Sequence, residues 1–179
     1  HAVYFAIRMN DPDPDSILTQ LTQRDNYNQN CDWIGIFINP FNDGLNDFNF
    51  WVTASGVQAD SKTTTDGNDF GWNTIWKSES KIDNKGWVVE LEIPYQSLRF
   101  PKMHTGIWGL NMIRNVRRYR EQYSWNLIDK NIQSRELQAG LLTGVHDINS
   151  PLRLSLIPNV TGSYSATPEA TDPDKVYTA

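Results

Sequence analysis

Residues 33–54, "WIGIFINPFNDGLNDFNFWVTA", decide the fold. The first six residues are apolar on both parities, as in a central strand covered on both faces. Pro40 and the run Asn42-Asp43-Gly44 then supply turn chemistry. In residues 47–54, Phe48, Phe50, Val52 and Ala54 share one parity, and Asp47, Asn49, Trp51 and Thr53 share the other. That alternation predicts a half-buried strand pairing back on 33–38, and so a hairpin. Trp51 breaks the pattern. It falls on the polar parity, which predicts a tryptophan on the wet face, exposed to a ligand or a neighbouring protein.

The flanking sequence repeats the same design. In "HAVYFAIRM" (1–9), Val3, Phe5, Ile7 and Met9 share a face, and "NDPDPD" (10–15) ends the strand. Residues 17–25, "ILTQLTQRD", lean towards strand, because they are rich in Thr and lack a 3.6-residue period. Residues 55–71 read as a loop rich in Ser, Thr, Asp and Gly. "GWVVELEIP" (86–94) places Trp87, Val89, Leu91 and Ile93 inward, with Glu90 and Glu92 outward. "PYQSLRFP" (94–101) has room for one helical turn. Residues 107–119 form a long strand, onto which 121–127 can fold back. "LLTGVHDI" and "PLRLSLIPNV" supply two more strands, and the tail from Ser165 is loop-like. The expectation is an all-β antiparallel β-sandwich of eight to ten strands with little helix. A single twisted sheet with one packed helix is the alternative. The chain opens in mid-strand, so it is expected to be a fragment whose N-terminal strands are missing.

Composition narrows the function. A net charge of −5 lacks the basic footprint that nucleic acid or an anionic membrane requires. Seven Trp, seven Tyr and seven Phe exceed what packing usually needs, and suit binding of carbohydrate or protein. The single cysteine, Cys31, excludes an intrachain disulfide. No run of 18 or more apolar residues can form a membrane-crossing helix. No catalytic motif occurs, and His1, His104 and His146 lack metal-ligand spacing. "NDPDPD" has oxygens at calcium-loop spacing but lacks the glycine and glutamate of such a loop, and reads as an acidic turn. Glu90 and Glu92 read as solvated outer-face residues.

Trp87 and Trp108 have core parity. Trp51, Trp72, Trp76 and Trp125 sit among polar residues, where a ring can stack on a pyranose while neighbouring amides take the hydroxyls. Arg114 shares parity with Trp108, Leu110, Met112 and Val116, so its guanidinium is either paired or lines a cleft. Glu121 on the returning strand is its candidate partner.

The combination "GWVVELEIPYQSLRFP", "WGLNMIRNVRRYREQYSWN" and "AGLLTGVHDINSPLRLSLIPNV" resembles the carbohydrate-binding module family 9-like domain of large Bacteroidota envelope proteins. The resemblance covers about residues 1–158. It implies a non-catalytic β-sandwich over 1–150, with 151–179 a linker or the start of an outer-membrane β-barrel in the same chain. It implies localisation to the cell envelope, an oligo- or polysaccharide partner, other envelope proteins as further partners, and calcium as a possible structural ion. It also implies a tryptophan clamp, with Trp125 as one jaw, Trp72 or Trp76 as the other, and Arg114 as a hydroxyl partner. The alternative is a structural or protein-interaction domain of an outer-membrane complex that binds no sugar.

Overall fold

The computed structural model describes residues 1–64, 66–101, 103–132, 134–148 and 158–162. Among these residues the chain forms β1 (Ala2–Asn10), β2 (Trp33–Asn39), β3 (Phe48–Thr53), β4 (Gln58–Thr64) and β5 (Gly67–Asp69). It continues with β6 (Lys77–Asp83), β7 (Gly86–Pro94), β8 (Met103–Val116), β9 (Glu121–Ser124) and β10 (Gly140–Ile148). The rest is turns and four single 3₁₀ turns. The expected all-β sandwich is what forms.

Two antiparallel sheets face each other. The smaller has the order β1-β7-β6. The larger runs β10-β8-β2-β3-β4-β5, with β9 also paired to β8. β10 lies along residues 103–110 of β8 and β9 along 113–116, so the two share one side of that strand. Between the sheets lies the main core. Ile34, Ile36, Ile38, Phe50 and Val52 of the large sheet meet Trp87, Val89, Leu91 and Ile93 of the small one. The predicted parity of β7 is the observed one.

The hairpin of residues 33–54 forms with Ile36 opposite Phe50, and its turn uses left-handed backbone at Asn42 and Gly44. Every residue of β2 and β3 is buried. This corrects the placement of Trp51 on a wet face: it is 2% exposed. The outer face of the large sheet carries a second core of Trp33, Phe37, Trp51, Ala59 and Ile113, over which Tyr27 and Ile128 pack.

Residues 17–25 form no strand beyond an isolated bridge from Thr19 to Cys31. Local bonds compete with the ladder: Thr22 Oγ1 donates to the Asn26 carbonyl, and Asp25 takes left-handed backbone. The segment crosses the outer face and brings Tyr27 onto it. Residues 55–71 are not the expected loop. After a turn at Gly56 they form β4 and β5, whose buried positions are mostly polar. β6, "KSESKID", was also not anticipated. Residues 151–157 and the tail from Ser163 lie outside the described residues, so the strand, linker and barrel expected there do too.

Candidate binding face

Strand registers set out the outer face of the large sheet in rows. One row is Asn115–Trp33–Thr53 across β8, β2 and β3. The next is Ile113–Gly35–Trp51–Ala59, and the third is Asn111–Phe37–Asn49–Ser61. One end of the face is therefore aromatic and the other polar.

Gly35 makes the aromatic end possible. A Cβ there would stand 2.7 Å from Cδ1 and Nε1 of Trp51, so the indole lies flat on the sheet only over glycine. Tyr27 stacks on Trp51 at 4.7 Å between centroids and meets Trp33 edge-on at 5.4 Å. Phe70, half exposed, stacks on Trp51 at 5.7 Å and carries the aromatic surface out to solvent.

The polar end holds side chains with unused capacity. Asn49 donates to Ser61 Oγ at 3.0 Å and to Thr63 Oγ1 at 2.9 Å, yet its Oδ1 has no partner. Asn111 accepts at Oδ1 from the Met112 and Asn126 amides, leaving its Nδ2 without an acceptor. Asp47 Oδ1 is also buried and unpartnered, as are Asn115 Nδ2 and Trp33 Nε1 at the far end of the face. Leaving such atoms unpaired costs about 1–3 kcal/mol each, so a water or ligand hydroxyl that reaches them is favoured. Burial pushes the Asp47 carboxyl up to about 6; the Glu136 carboxylate adds to this and the Arg135 guanidinium opposes it.

Residues 126–132 and 134–138 shelter the polar end. The Asn126 side chain donates to the Gln138 carbonyl at 2.5 Å, and Gln138 donates to the Asp129 carbonyl at 3.2 Å, so the segment is tied to itself. Arg135 stands 4.3 Å above the Phe37 ring and pairs with Glu136 at 3.5 Å.

The six residues singled out by sequence go to four places. Trp51 belongs to this face. Trp72 and Trp76 lie on the opposite side of the sheet. Trp72 packs on Phe48 and Phe50, and Trp76 is buried against Phe50, with its Nε1 donating to Asp60 at 3.3 Å. Trp76 therefore offers no stacking face. Trp125 and Arg114 do come together, in a groove of about 380 Å³ beside β1, with Tyr123 and Met112. Arg114 does not pair with Glu121. Its guanidinium donates to the Asn10 carbonyl at 2.6 Å and to Asp11 at 3.1 Å. Glu121 is exposed and accepts from the Tyr123 hydroxyl. Trp51 is already in contact with rings of the protein, which leaves no sugar-sized slot beside it as the rings stand.

Tyr27, Phe37, Asp47 and Arg135 were not anticipated at the face. Asn111 and Asn115 lie on the parity of β8 opposite to that of Arg114. The acidic turn is used structurally: Asp11 takes Arg118 at 2.6 Å as well as Arg114. Burial opposes ionisation of Asp11, but these partners hold its carboxyl below the usual range. Among the described residues no three His, Cys, Asp or Glu side chains are grouped to hold a metal ion.

No protein-family profile matches the chain, and no curated protein matches it in sequence. Solved structures do share its fold. A family 9 carbohydrate-binding module from Caldicellulosiruptor kristjanssonii, solved with glucose, superposes with a TM-score of 0.56 at 17% identity, over 84% of this chain and 75% of that one. The same organism's module solved with cellotriose gives 0.55 at 16% identity, over 87% and 75%. A proposed carbohydrate-binding protein from Bacteroides uniformis gives 0.56 at 12% identity, over 71% and 67%. The chain thus has a family 9-like β-sandwich fold.

Proposed function

We propose that this chain is a non-catalytic carbohydrate-binding module that holds sugar at the outer face of its seven-stranded sheet. The observation that carries this reading is the set of unpartnered amide and carboxylate atoms on Asn49, Asn111 and Asp47, beside the Trp51–Tyr27–Phe70 stack. Amides and a carboxylate are the groups that hydroxyls pair with, and Phe70, the exposed ring of the stack, offers flat apolar area to a pyranose face. Similarity to modules solved with glucose and cellotriose supports a saccharide partner. Arg135 has to swing off Phe37 for the ligand to reach the amides. In this reading the tryptophan that serves the sugar is Trp51, acting through Phe70.

The setting belongs to the proposal too. The motif order of residues 86–160 supports a module of a Bacteroidota-type envelope protein, associated with the outer membrane and followed by a β-barrel in the same chain. Membrane fractionation of the native host protein tests it: recovery outside the envelope fraction contradicts this setting.

Isothermal titration with cellotriose and a panel of neutral oligosaccharides tests the site. Asn49→Ala and Asn111→Ala are each expected to weaken binding about tenfold, the cost of a lost hydrogen bond in a sheltered site, with unchanged circular dichroism. Trp125→Ala is expected to leave it unchanged. Loss with Trp125→Ala alone would move the site to the groove beside β1. No binding across the panel would leave the protein-interaction reading.

A further inference from the structure

We propose that the outer edge of β1 takes an added β-strand from a partner polypeptide with apolar residues at every second position, an acid opposite Arg8 and a base opposite Ala6.

The first observation is an open hydrogen-bonding edge. The Tyr95 amide donates to the His1 carbonyl at 3.0 Å and the Asp11 amide to the Lys85 carbonyl at 2.9 Å. Odd residues of β1 therefore exchange their backbone bonds with β7, and even residues point theirs away from it. β1 is the end strand of its sheet. Among the described residues, the Asn10 carbonyl finds Arg114, while the outward backbone groups of Tyr4, Ala6 and Arg8 find nothing. The strand has no proline, lysine or bulge of the kind that blunts free edges.

The second observation is an uncovered strip of the opposite sheet. Tyr123 pairs with Arg114 in register, and the Trp125 amide bonds the Met112 carbonyl, so both residues continue the inward-facing rows of β8. Yet Tyr123 is 55% and Trp125 is 56% exposed. Val3, Phe5 and Ile7 of β1 also touch the core but are only partly buried. The small sheet stops one strand short of covering β9. The groove of about 380 Å³ lies in that gap. A strand beside β1, about 4.8 Å away, would extend over the groove, and its inward side chains would drop onto the two rings.

Charge sets the pattern on the other face of the added strand. Across the small sheet one outer row reads Arg8–Val88–Lys81, and the next reads Ala6–Glu90–Glu79. Arg8 already donates to both oxygens of Asp83, at 3.1 and 2.9 Å, so an acid beside the first row meets the side of the guanidinium turned away from Asp83, and a base beside the second row answers Glu90 and Glu79. Strand addition combines backbone bonds for affinity with alternate side chains for selectivity, and this edge supplies both.

The test uses a fluorescein-labelled octapeptide, Thr-Val-Glu-Phe-Lys-Val-Thr-Val, and a scrambled version with its apolar residues clustered. Binding is read by fluorescence polarisation, with sedimentation velocity on the protein alone. The alternating peptide is expected to bind saturably, and the scrambled one about tenfold more weakly. Ala6→Pro is expected to abolish binding while preserving the circular dichroism spectrum, because it deletes only an outward N–H and leaves the β1–β7 ladder whole. Absence of binding, equal binding of both peptides, or indifference to Ala6→Pro would overturn the proposal. So would self-association that Ala6→Pro abolishes, which would assign the edge to a second copy.

Discussion

The outer face of the large sheet and the seam beside β1 are both rich in aromatic rings, and they are incomplete in opposite ways. On the outer face the rings are covered and packed, while amide and carboxylate atoms are buried without partners. Along the seam the rings are bare, and the missing partners are chiefly backbone groups of a strand, with the buried Arg114 Nε beside them. A buried polar atom without a partner is open to a hydroxyl, of water or of a ligand. A bare apolar strip beside a free strand edge calls for a polypeptide. Aromatic content alone does not separate the two; the state of the polar groups around the rings does.

The sharpest way to break this comparison is a pair of tryptophan truncations. Trp51→Ala is expected to cost about 3–5 kcal/mol, the usual penalty for emptying a large core site. Trp125→Ala is expected to stay within about 0.5 kcal/mol, as for an exposed residue. Urea denaturation of both variants measures the difference; equal costs would mean that the seam is packed and not open.

Asp11→Ala comes next, at about 2–3 kcal/mol in the same assay, since both Arg114 and Arg118 lose their carboxylate; their partial exposure keeps the cost below that of a fully buried pair. The Asp11 carboxyl is held below its ordinary value, so its contribution is present above about pH 4 and fades as the pH falls further. The gap between wild type and Asp11→Ala should therefore narrow as the pH is lowered from about 4.

Asp47 has the opposite sign and a smaller effect. Its carboxyl titrates at about 6 in the folded chain against an ordinary 3.8. The contribution is therefore full below the ordinary value and lost as the pH rises through 6. Asp47→Asn is expected to be more stable than wild type by on the order of 2 kcal/mol at pH 8, and level with it at pH 3. Thermal melts at the two pH values check this. A stabilising variant that binds sugar more weakly would mark Asp47 as a group kept for ligand at a cost in stability.

What sequence revealed and what it hid have a common cause. β7 was legible because Trp87, Val89, Leu91 and Ile93 alternate with charged or half-exposed neighbours in a half-buried strand. β4 was not. Its buried positions include Asp60, Ser61 and Thr63, and Asp60 is satisfied by Arg24, Thr74 and Trp76, which no periodicity can announce. β6 carries a single apolar residue, Ile82, and is held by pairing with β7. At the candidate site, Trp51 stood out for a sound reason, an apolar ring on polar parity, but the inferred exposure reversed. The irregular segment carrying Tyr27 covers the ring, and a segment without periodicity cannot be placed from pattern alone. The partner of Arg114 was hidden too, because Asp11 lies 103 residues away across the sandwich.

The central claim is that sugar meets the outer face and not the seam, and the seven indole N–H resonances report on both at once. Titrating ¹⁵N-labelled protein with cellotriose and following those signals is the most direct measurement. The account predicts that Trp33, whose Nε1 is buried without a partner, and Trp51 shift together while Trp125 stays fixed. A shift of Trp125 with Trp33 and Trp51 unmoved would contradict it.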